Sequence, residues 1–217
     1  MGYKLVDVAR FIEKNHSRDY SSPKRIVDEI KKAEMTQLYE DAKFANYEFN
    51  TFLNHLAETT GLVDFKNKNF LDGTMCHIRS YFWGKLKYVT HMSFAESISV
   101  FCEAVEEGSG IRYRVSIDID EDNASNDEML RHSDLISMKL DKGLVYLVNN
   151  RAAKDLKNFG TDTQKVRKYI SDGTYKKAQV SYLIDIDNDT TDEMVVAEIE
   201  KAVNMLIKYY NHVIGIK

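Results

Sequence analysis

The stretch IRYRVSIDID (111–120) constrains the fold more than any other part of the chain. Apolar and polar side chains alternate along it, which is the period of a β-strand with one buried face and one polar face. The strand predicts a sheet packed on one side, with Tyr113 facing away from its two arginine neighbours. The apolar positions are Ile111, Tyr113, Val115, Ile117 and Ile119, and the polar positions are Arg112, Arg114, Ser116, Asp118 and Asp120.

Further segments rich in β-branched and aromatic residues also predict strands. They are 85–91, 97–105, 143–148 and 177–186. The segment EEGSG (106–110) has the composition of a hairpin loop, so it predicts an antiparallel pair formed by the strands on either side of it.

Apolar residues at helical spacing predict helices in the first third of the chain. Leu5, Val8 and Ile12 share one helical face. Pro23 after Ser22 predicts the start of a second helix, PKRIVDEIKKAEM. A third helix is predicted over about 41–59, ending at Gly61. The residues expected to point inward from the second and third helices are Ile26, Val27, Ile30, Phe44, Phe52 and Leu56.

Two more helices are predicted towards the end of the chain. One lies between about Arg151 and Ile170, and a long one closes the sequence. The apolar stripe of the closing helix is Val195, Ile199, Val203, Leu206 and Tyr210.

This order of elements predicts an α+β fold. We expect a helical N-terminal portion packed on a mainly antiparallel β-sheet, with a long C-terminal helix. No linker rich in Pro, Gly or Ser interrupts residues 1–217, which favours a single domain, with a separate helical subdomain at 1–62 as the alternative.

Two similar acidic phrases, IDIDEDNASNDEM (117–129) and IDIDNDTTDEM (184–194), raise the question of a metal site. An EF-hand loop needs a Gly at its sixth position and a Glu at its twelfth, and both phrases lack them. We therefore expect no metal there. Each phrase instead fits a strand end followed by a capped helix, with Ser125 or Asn126 as the first cap and Thr190 or Thr191 as the second.

Net charge and the motifs of the sequence limit the classes of function to be considered. The net charge of −4 gives no overall positive field, although one basic face remains compatible with it. No phosphate-binding loop, HExxH, GxSxG or paired metal-ligand spacing occurs, so we expect neither an enzyme nor a cofactor. Cys76 and Cys102 do not form a CxxC pair and fit reduced thiols of a cytoplasmic protein, and no apolar run is long enough to span a membrane.

The segment HIRSYFWGKLKYVTH (77–91) interleaves basic and aromatic residues. Cations pair with phosphates and aromatic faces stack on bases, so this mixture suits nucleic acid, although a buried aromatic strand with solvated lysines also explains it. Basic residues of two other strands extend the pattern. They are Arg112, Arg114, Lys176 and Lys177.

Three segments of the chain resemble the N-terminal DNA-binding domain of McrB-type methylcytosine-specific restriction proteins. They are the strand at Leu144 to Asn150, the strand region at Ile170 to Tyr182, and the end of the last helix at Leu206 to Tyr210. The likeness covers roughly the last two thirds of the chain. It implies a DNA-binding specificity module of a modification-dependent restriction or phage-defence system. The implied partners are double-stranded DNA, methylated at cytosine, and a GTPase module and nuclease subunit of the same system.

Domains of that family flip a modified cytosine out of the duplex and hold it between aromatic rings, inside a basic rim that contacts phosphates. The candidate pocket residues here are Tyr81, Trp83, Tyr88 and Tyr113. The candidate DNA-binding residues of the rim are Arg79, Lys85, Lys87, Arg112, Arg114, Lys176 and Lys177.

Two functions of other classes compete with DNA recognition. One is a metal-dependent nuclease that uses acidic strand-end residues, although no basic catalytic partner accompanies them. The other is a protein-interaction domain that uses the aromatic surface. The acids available to a nuclease are Asp118, Asp120, Asp185 and Asp187.

Overall fold

The computed structural model describes residues 2–65, 70–72, 76–105, 110–149 and 156–216, and shows an α+β fold. The helices are α1 (Leu5–Asn15), α2 (Glu29–Thr60), α3 (Asn126–Ser133), α4 (Thr163–Ser171) and α5 (Asp192–Ile214). Short 3-10 helices occupy Pro23–Arg25, Val89–His91 and Asp134–Ser137. None of the helices described is long and apolar enough to cross a membrane.

The described strands are β1 (Val63–Phe65), β2 (Leu71–Asp72), β3 (His77–Ile78), β4 (Tyr81–Lys87), β5 (Glu96–Ala104), β6 (Ile111–Ile119), β7 (Leu144–Asn149), β8 (Lys157–Asn158) and β9 (Lys177–Ile186). Seven of them form one sheet in the order β1-β4-β5-β6-β9-β7-β8, and β2 pairs with β3 in a separate two-stranded sheet. Every pairing between these strands is antiparallel. The central strands β5, β6 and β9 are the longest.

The core lies between one face of the sheet and the helices. Helices α1 and α5 contact the central strands β5 and β6, and α2 contacts β1 and β4. The hydroxyl of Tyr113 donates to the carbonyl of Leu5 at 2.8 Å, and the Val6 amide donates to Asp192 Oδ1 at 2.7 Å. These bonds tie the start of α1 to the sheet and to the start of α5.

Caps fix the ends of the helices. Asp28 accepts from the Lys31 amide at the start of α2, and Ser125 and Glu128 form a capping box at the start of α3. Thr191 caps α5. Gly61 ends α2 with φ 69°, a left-handed conformation that favours glycine.

Several sequence predictions are confirmed by this fold. The α+β class is confirmed, and β9 has the predicted limits 177–186. The inward residues of α1 and the stripe of α5 are buried, as are Phe52 and Leu56. The predicted caps Ser125 and Thr191 are the ones found.

Other predictions are wrong in their limits. The second and third predicted helices are one 32-residue helix, because α2 begins after Asp28 and continues through residue 41. Val27, Ile30 and Phe44 are 93%, 83% and 48% exposed, since the segment before α2 and this side of the helix do not face the sheet.

The strand predicted at 85–91 is β4, which ends at Lys87 before a 3-10 helix. The helix predicted from about residue 151 begins only at Thr163, after the short strand β8. Residues 151–155, and 106–109 of the predicted hairpin loop, lie outside the described residues.

Glu96 is an ionisable residue inside the core. It opens β5 on the helix side and is 0% exposed, and neither of its carboxylate oxygens accepts a hydrogen bond from the described residues. Burial raises the pKa of Glu96 above its usual value, although its own backbone amide and the guanidinium of Arg131, 3.5 Å from Oε1, act against the rise. The negative charge of nearby Glu128 raises the pKa of Glu96 further. The fold therefore raises the pKa of a carboxyl group that it buries.

We expect Glu96→Gln to gain stability relative to the wild type as the pH rises. A carboxyl group whose pKa is raised by folding contributes stability below its unfolded pKa, about 4.3, and loses it as the pH rises through the folded pKa. Thermal melts from pH 4 to pH 8 should show a difference in Tm that grows in favour of the variant. Glu40→Gln, at an exposed position of α2, is the control and should show no such trend. A Glu96→Gln difference that is independent of pH would contradict the assignment.

Candidate nucleic-acid interface

The side of the sheet opposite the helical core carries polar and charged side chains, and we call it the polar face. It includes Trp83 and Lys85 of β4, Ser99, Phe101 and Glu103 of β5, Arg112, Arg114, Ser116 and Asp118 of β6, and Lys177, Gln179 and Ser181 of β9. Many of these side chains are nearly inaccessible to solvent, including Arg114 at 2% and Gln179 at 2%. Buried polar groups require partners, which the polar face supplies from within.

Glu103 holds two arginines at one end of the polar face. Its Oε1 accepts from Arg112 Nε at 2.9 Å and from Arg114 Nε at 2.9 Å, and its Oε2 accepts from Arg114 Nη2 at 2.8 Å. Burial alone would raise the pKa of Glu103, but Arg114 and then Arg112 lower it below its usual value. The carboxylate is therefore ionised, and the Arg114 pair is bidentate.

Gln179 carries the network on to a second ion pair. Its Oε1 accepts from Arg114 Nη1 at 3.0 Å and its Nε2 donates to Asp118 Oδ1 at 2.6 Å. Lys177 Nζ donates to the same Asp118 oxygen at 2.7 Å and lies 3.9 Å from Glu121 Oε2. Burial would raise the pKa of Asp118, but Lys177 and the hydrogen bonds bring it down to about 2.

Aromatic rings line the polar face beside this network. Trp83 and Phe101 stack with centroids 6.1 Å apart and planes 23° apart, and Tyr81 lies 6.4 Å from Phe101. The guanidinium of Arg114 lies 3.7 Å from the Phe101 centroid. Lys85 Nζ lies 4.7 Å from the Trp83 ring. Trp83 and Tyr81 are half-buried, so each retains some accessible ring surface.

Of the four predicted pocket residues, Tyr81 and Trp83 lie together on the polar face and the other two do not. Tyr113 is 0% exposed in the core, where its hydroxyl is bonded to Leu5, so its ring has no surface to offer a base. Tyr88 stacks on Tyr210 of α5, with centroids 5.6 Å apart. The alternation of β6 places Tyr113, and the packing against α5 places Tyr88, away from Tyr81 and Trp83.

The predicted rim cations are mostly buried and engaged. Arg112, Arg114 and Lys177 belong to the network, while Lys85 pairs with Asp120 at 3.1 Å. Lys87 is 2% exposed and donates to the carbonyls of Phe94 and Met92. Because these cations already neutralise protein groups, they do not form an open rim.

Two predicted rim residues lie apart from this group. Arg79 is half-buried and pairs with Asp72 at 3.1 Å. Lys176 is exposed and directly precedes β9. Its amide donates to the carbonyl of Asn149, the last residue of β7.

The acids that a nuclease would need are not gathered. Asp118 is paired with Lys177 and Asp120 with Lys85, while Asp187 accepts hydrogen bonds within its own turn. Asp185 lies opposite Arg112 in the sheet register. Across the residues that the structure describes, no group of three His, Cys, Asp or Glu side chains is arranged to hold a metal ion.

Sequence reasoning missed Phe101, Glu103 and Gln179, which organise the polar face. The register places Glu103 opposite Arg112, and Phe101 opposite both Trp83 and Arg114. An acid and an arginine at matching positions on either side of a hairpin loop were the available signal. A shared register, rather than any motif, identifies them.

We expect Glu103→Gln to destabilise the fold strongly. Neutralising the carboxylate leaves Arg112 and Arg114 buried without their anion, and breaking a buried ion pair from one side costs about 3–5 kcal/mol. Chemical denaturation at pH 7 measures this loss. Asp185→Asn, at an exposed position of the same face, is the matched control and should change stability by less than about 0.5 kcal/mol. A similar small change for both variants would show that the Glu103 pairs contribute little.

Comparisons with protein-family models, with curated proteins and with solved structures found no match for this chain. The resemblance to McrB-type DNA-binding domains thus stays a prediction from residues. Its three segments lie on β7, on α4 and β9 with the turn between them, and at the C-terminal part of α5; Asn150 is outside the described residues.

Proposed function

We propose that this chain is a DNA-binding specificity module of a modification-dependent restriction or phage-defence system. In this proposal it reads double-stranded DNA with the rings of its polar face and has no catalytic activity of its own. The resemblance in β7, β9 and α5 supplies the restriction context, and the geometry of the polar face supports the reading role.

The stack of Trp83, Phe101 and Arg114 carries the proposal. Trp83 presents a partly accessible ring that is backed by Phe101, which is held in turn by the Arg114 guanidinium. A base stacked on such a ring gains about 1–3 kcal/mol. Because the ring is anchored on β4 and backed by Phe101 of β5, little conformational entropy is lost when it binds.

The ion network gives this reading surface its rigidity. Glu103 holds the Arg114 guanidinium, and that guanidinium lies 3.7 Å from the Phe101 ring. A modified base can be distinguished only if the groups around it keep their positions. In this proposal the buried charged residues position the aromatic rings, and the rings contact the base.

A protein-interaction domain is the second candidate. Five of the nine large hydrophobic side chains that are exposed in the described residues fall between 27 and 47, in the segment before α2 and the N-terminal part of that helix. Concentrated apolar exposure is typical of protein-binding surfaces. These side chains are Val27, Ile30, Tyr39, Phe44 and Tyr47.

Trp83 is the single tryptophan of the chain, so its fluorescence reports on the proposed site directly. We expect duplex DNA containing a methylated or hydroxymethylated cytosine to quench this fluorescence more than the matched unmodified duplex, because a base stacks on the ring. Trp83→Ala should lose most of the discrimination between the two duplexes in fluorescence anisotropy with labelled DNA, while keeping its non-specific affinity.

Tyr47→Ala removes a ring that is 65% exposed on α2 and is the control for loss of an aromatic residue. Circular dichroism melts of both variants separate loss of binding from loss of folding. Discrimination that survives in a folded Trp83→Ala protein would remove the reading role. Absence of any DNA binding by the wild type would overturn the proposed function, and Tyr47→Ala would then test the protein-binding alternative.

A further inference from the structure

Three aromatic rings join three segments at the β7–β8 edge of the sheet. Phe159 follows β8, Tyr169 lies in α4 and Tyr175 lies in the turn that enters β9. Phe159 and Tyr169 stack at 5.3 Å and 19°, and Tyr175 meets them edge-on at 6.1 Å and 5.9 Å. We call these rings and the cations around them the α4 corner.

Exposed cations lie close to two of these rings. Lys165 Nζ lies 4.8 Å from the Phe159 centroid, and Lys168 Nζ lies 5.6 Å from that of Tyr169. Lys176 directly follows Tyr175. The exposed cations of the corner are Lys157, Lys165, Arg167, Lys168 and Lys176.

Three of these cations, Lys165, Lys168 and Lys176, differ from those of the polar face because they form no close ion pair with an acid of the described residues. Among the described residues, no carboxylate oxygen lies within 4.0 Å of the side-chain nitrogen of Lys165, Lys168 or Lys176. The two acids of the corner bond to other groups. Asp162 accepts from the Lys165 amide as the cap of α4, and Asp172 accepts from the amide and hydroxyl of Thr174.

The local charge opposes that of the whole chain. Residues 156–176 contain five cations and two carboxylates, a net charge of +3, in a protein whose net charge is −4. Three of the five cations lie on the short helix α4, and like-charged neighbours on a helix repel each other, which costs stability. A bound polyanion relieves that repulsion and releases its own counterions.

The arrangement of the α4 corner also suits binding of a nucleic-acid backbone. Ring packing holds its three segments together, and Val166 anchors α4 in the core, so the lysines extend from a fixed base. Exposed lysines on a fixed base suit a sugar-phosphate backbone, because its phosphates bind cations.

We propose that the α4 corner binds the sugar-phosphate backbone of nucleic acid, with duplex DNA as the expected ligand. The choice of duplex DNA rests on the proposed function, whereas the phosphodiester contact rests on the corner alone. The polar face would then read bases while the α4 corner holds phosphates.

The test is the salt dependence of binding by Lys165→Gln/Lys168→Gln, measured by anisotropy with a labelled duplex and with a single-stranded RNA of the same length. Each lost phosphate contact lowers the slope of log K against log salt by about one, so the double variant should lower the duplex slope by about two and weaken modified and unmodified duplexes equally. The matched control, Lys24→Gln/Lys43→Gln, removes two exposed lysines elsewhere and should leave the slope unchanged.

The possible outcomes separate the two proposals. Suppose that duplexes bind but the double variant keeps the wild-type slope, or that the control variant lowers the slope as much. The proposed phosphate contact at the α4 corner is then wrong, and the proposed function stands. If only the RNA binds, with a slope that falls in the double variant, the α4 corner stands and DNA recognition is wrong. If the wild type binds neither probe, both are wrong. Melting temperatures equal to the wild type confirm that the variants are folded.

Discussion

The pairing of Glu103 with Arg112 and Arg114 is the interaction on which the polar face depends. A guanidinium at 2% exposure is tolerated only if its charge is compensated, and Glu103 provides both oxygens to Arg114. The chain of contacts from Arg114 through Gln179 to Asp118 and Lys177 then extends across three adjacent strands, β5, β6 and β9. One compensated arginine therefore organises most of the face.

The same compensation limits what the polar face can bind. Lys177 and Arg114 already donate to carboxylates, so a phosphate would have to displace those partners before it could bind. Trp83 and Tyr81 are half-buried on the same face, so part of each residue is accessible to a ligand. Electrostatic attraction must come from elsewhere, and the exposed lysines of α4 are cations without such partners among the described residues. In the proposed function, base recognition and electrostatic attraction of DNA therefore belong to different surfaces.

Sequence patterns predicted the framework well because periodicity reports burial. The alternation of β6 and the stripe of α5 identified residues that are buried in the structure. Patterns could not predict pairing, because Arg114 and a solvated arginine look the same in sequence. Whether a cation on a strand has an acidic partner depends on which residue of the neighbouring strand lies opposite it. The register of the hairpin decides that pairing. Lys165 and Lys168 were missed for the complementary reason, since a basic helical turn usually means only a solvated surface.

The charge pairs also specify the fold against its nearest alternative. If β5 slipped by one residue, Glu103 would move to the helix side, where Cys102 is fully buried, and Cys102 would take its place on the polar face. Arg112 and Arg114 would then lose their anion while a carboxylate entered the apolar core, so both faces would oppose the slip. Buried ion pairs often add little net stability, but here they penalise a specific wrong register. Because Trp83, Phe101 and Arg114 meet only in the correct register, the same pairs that fix the sheet also assemble the proposed reading surface.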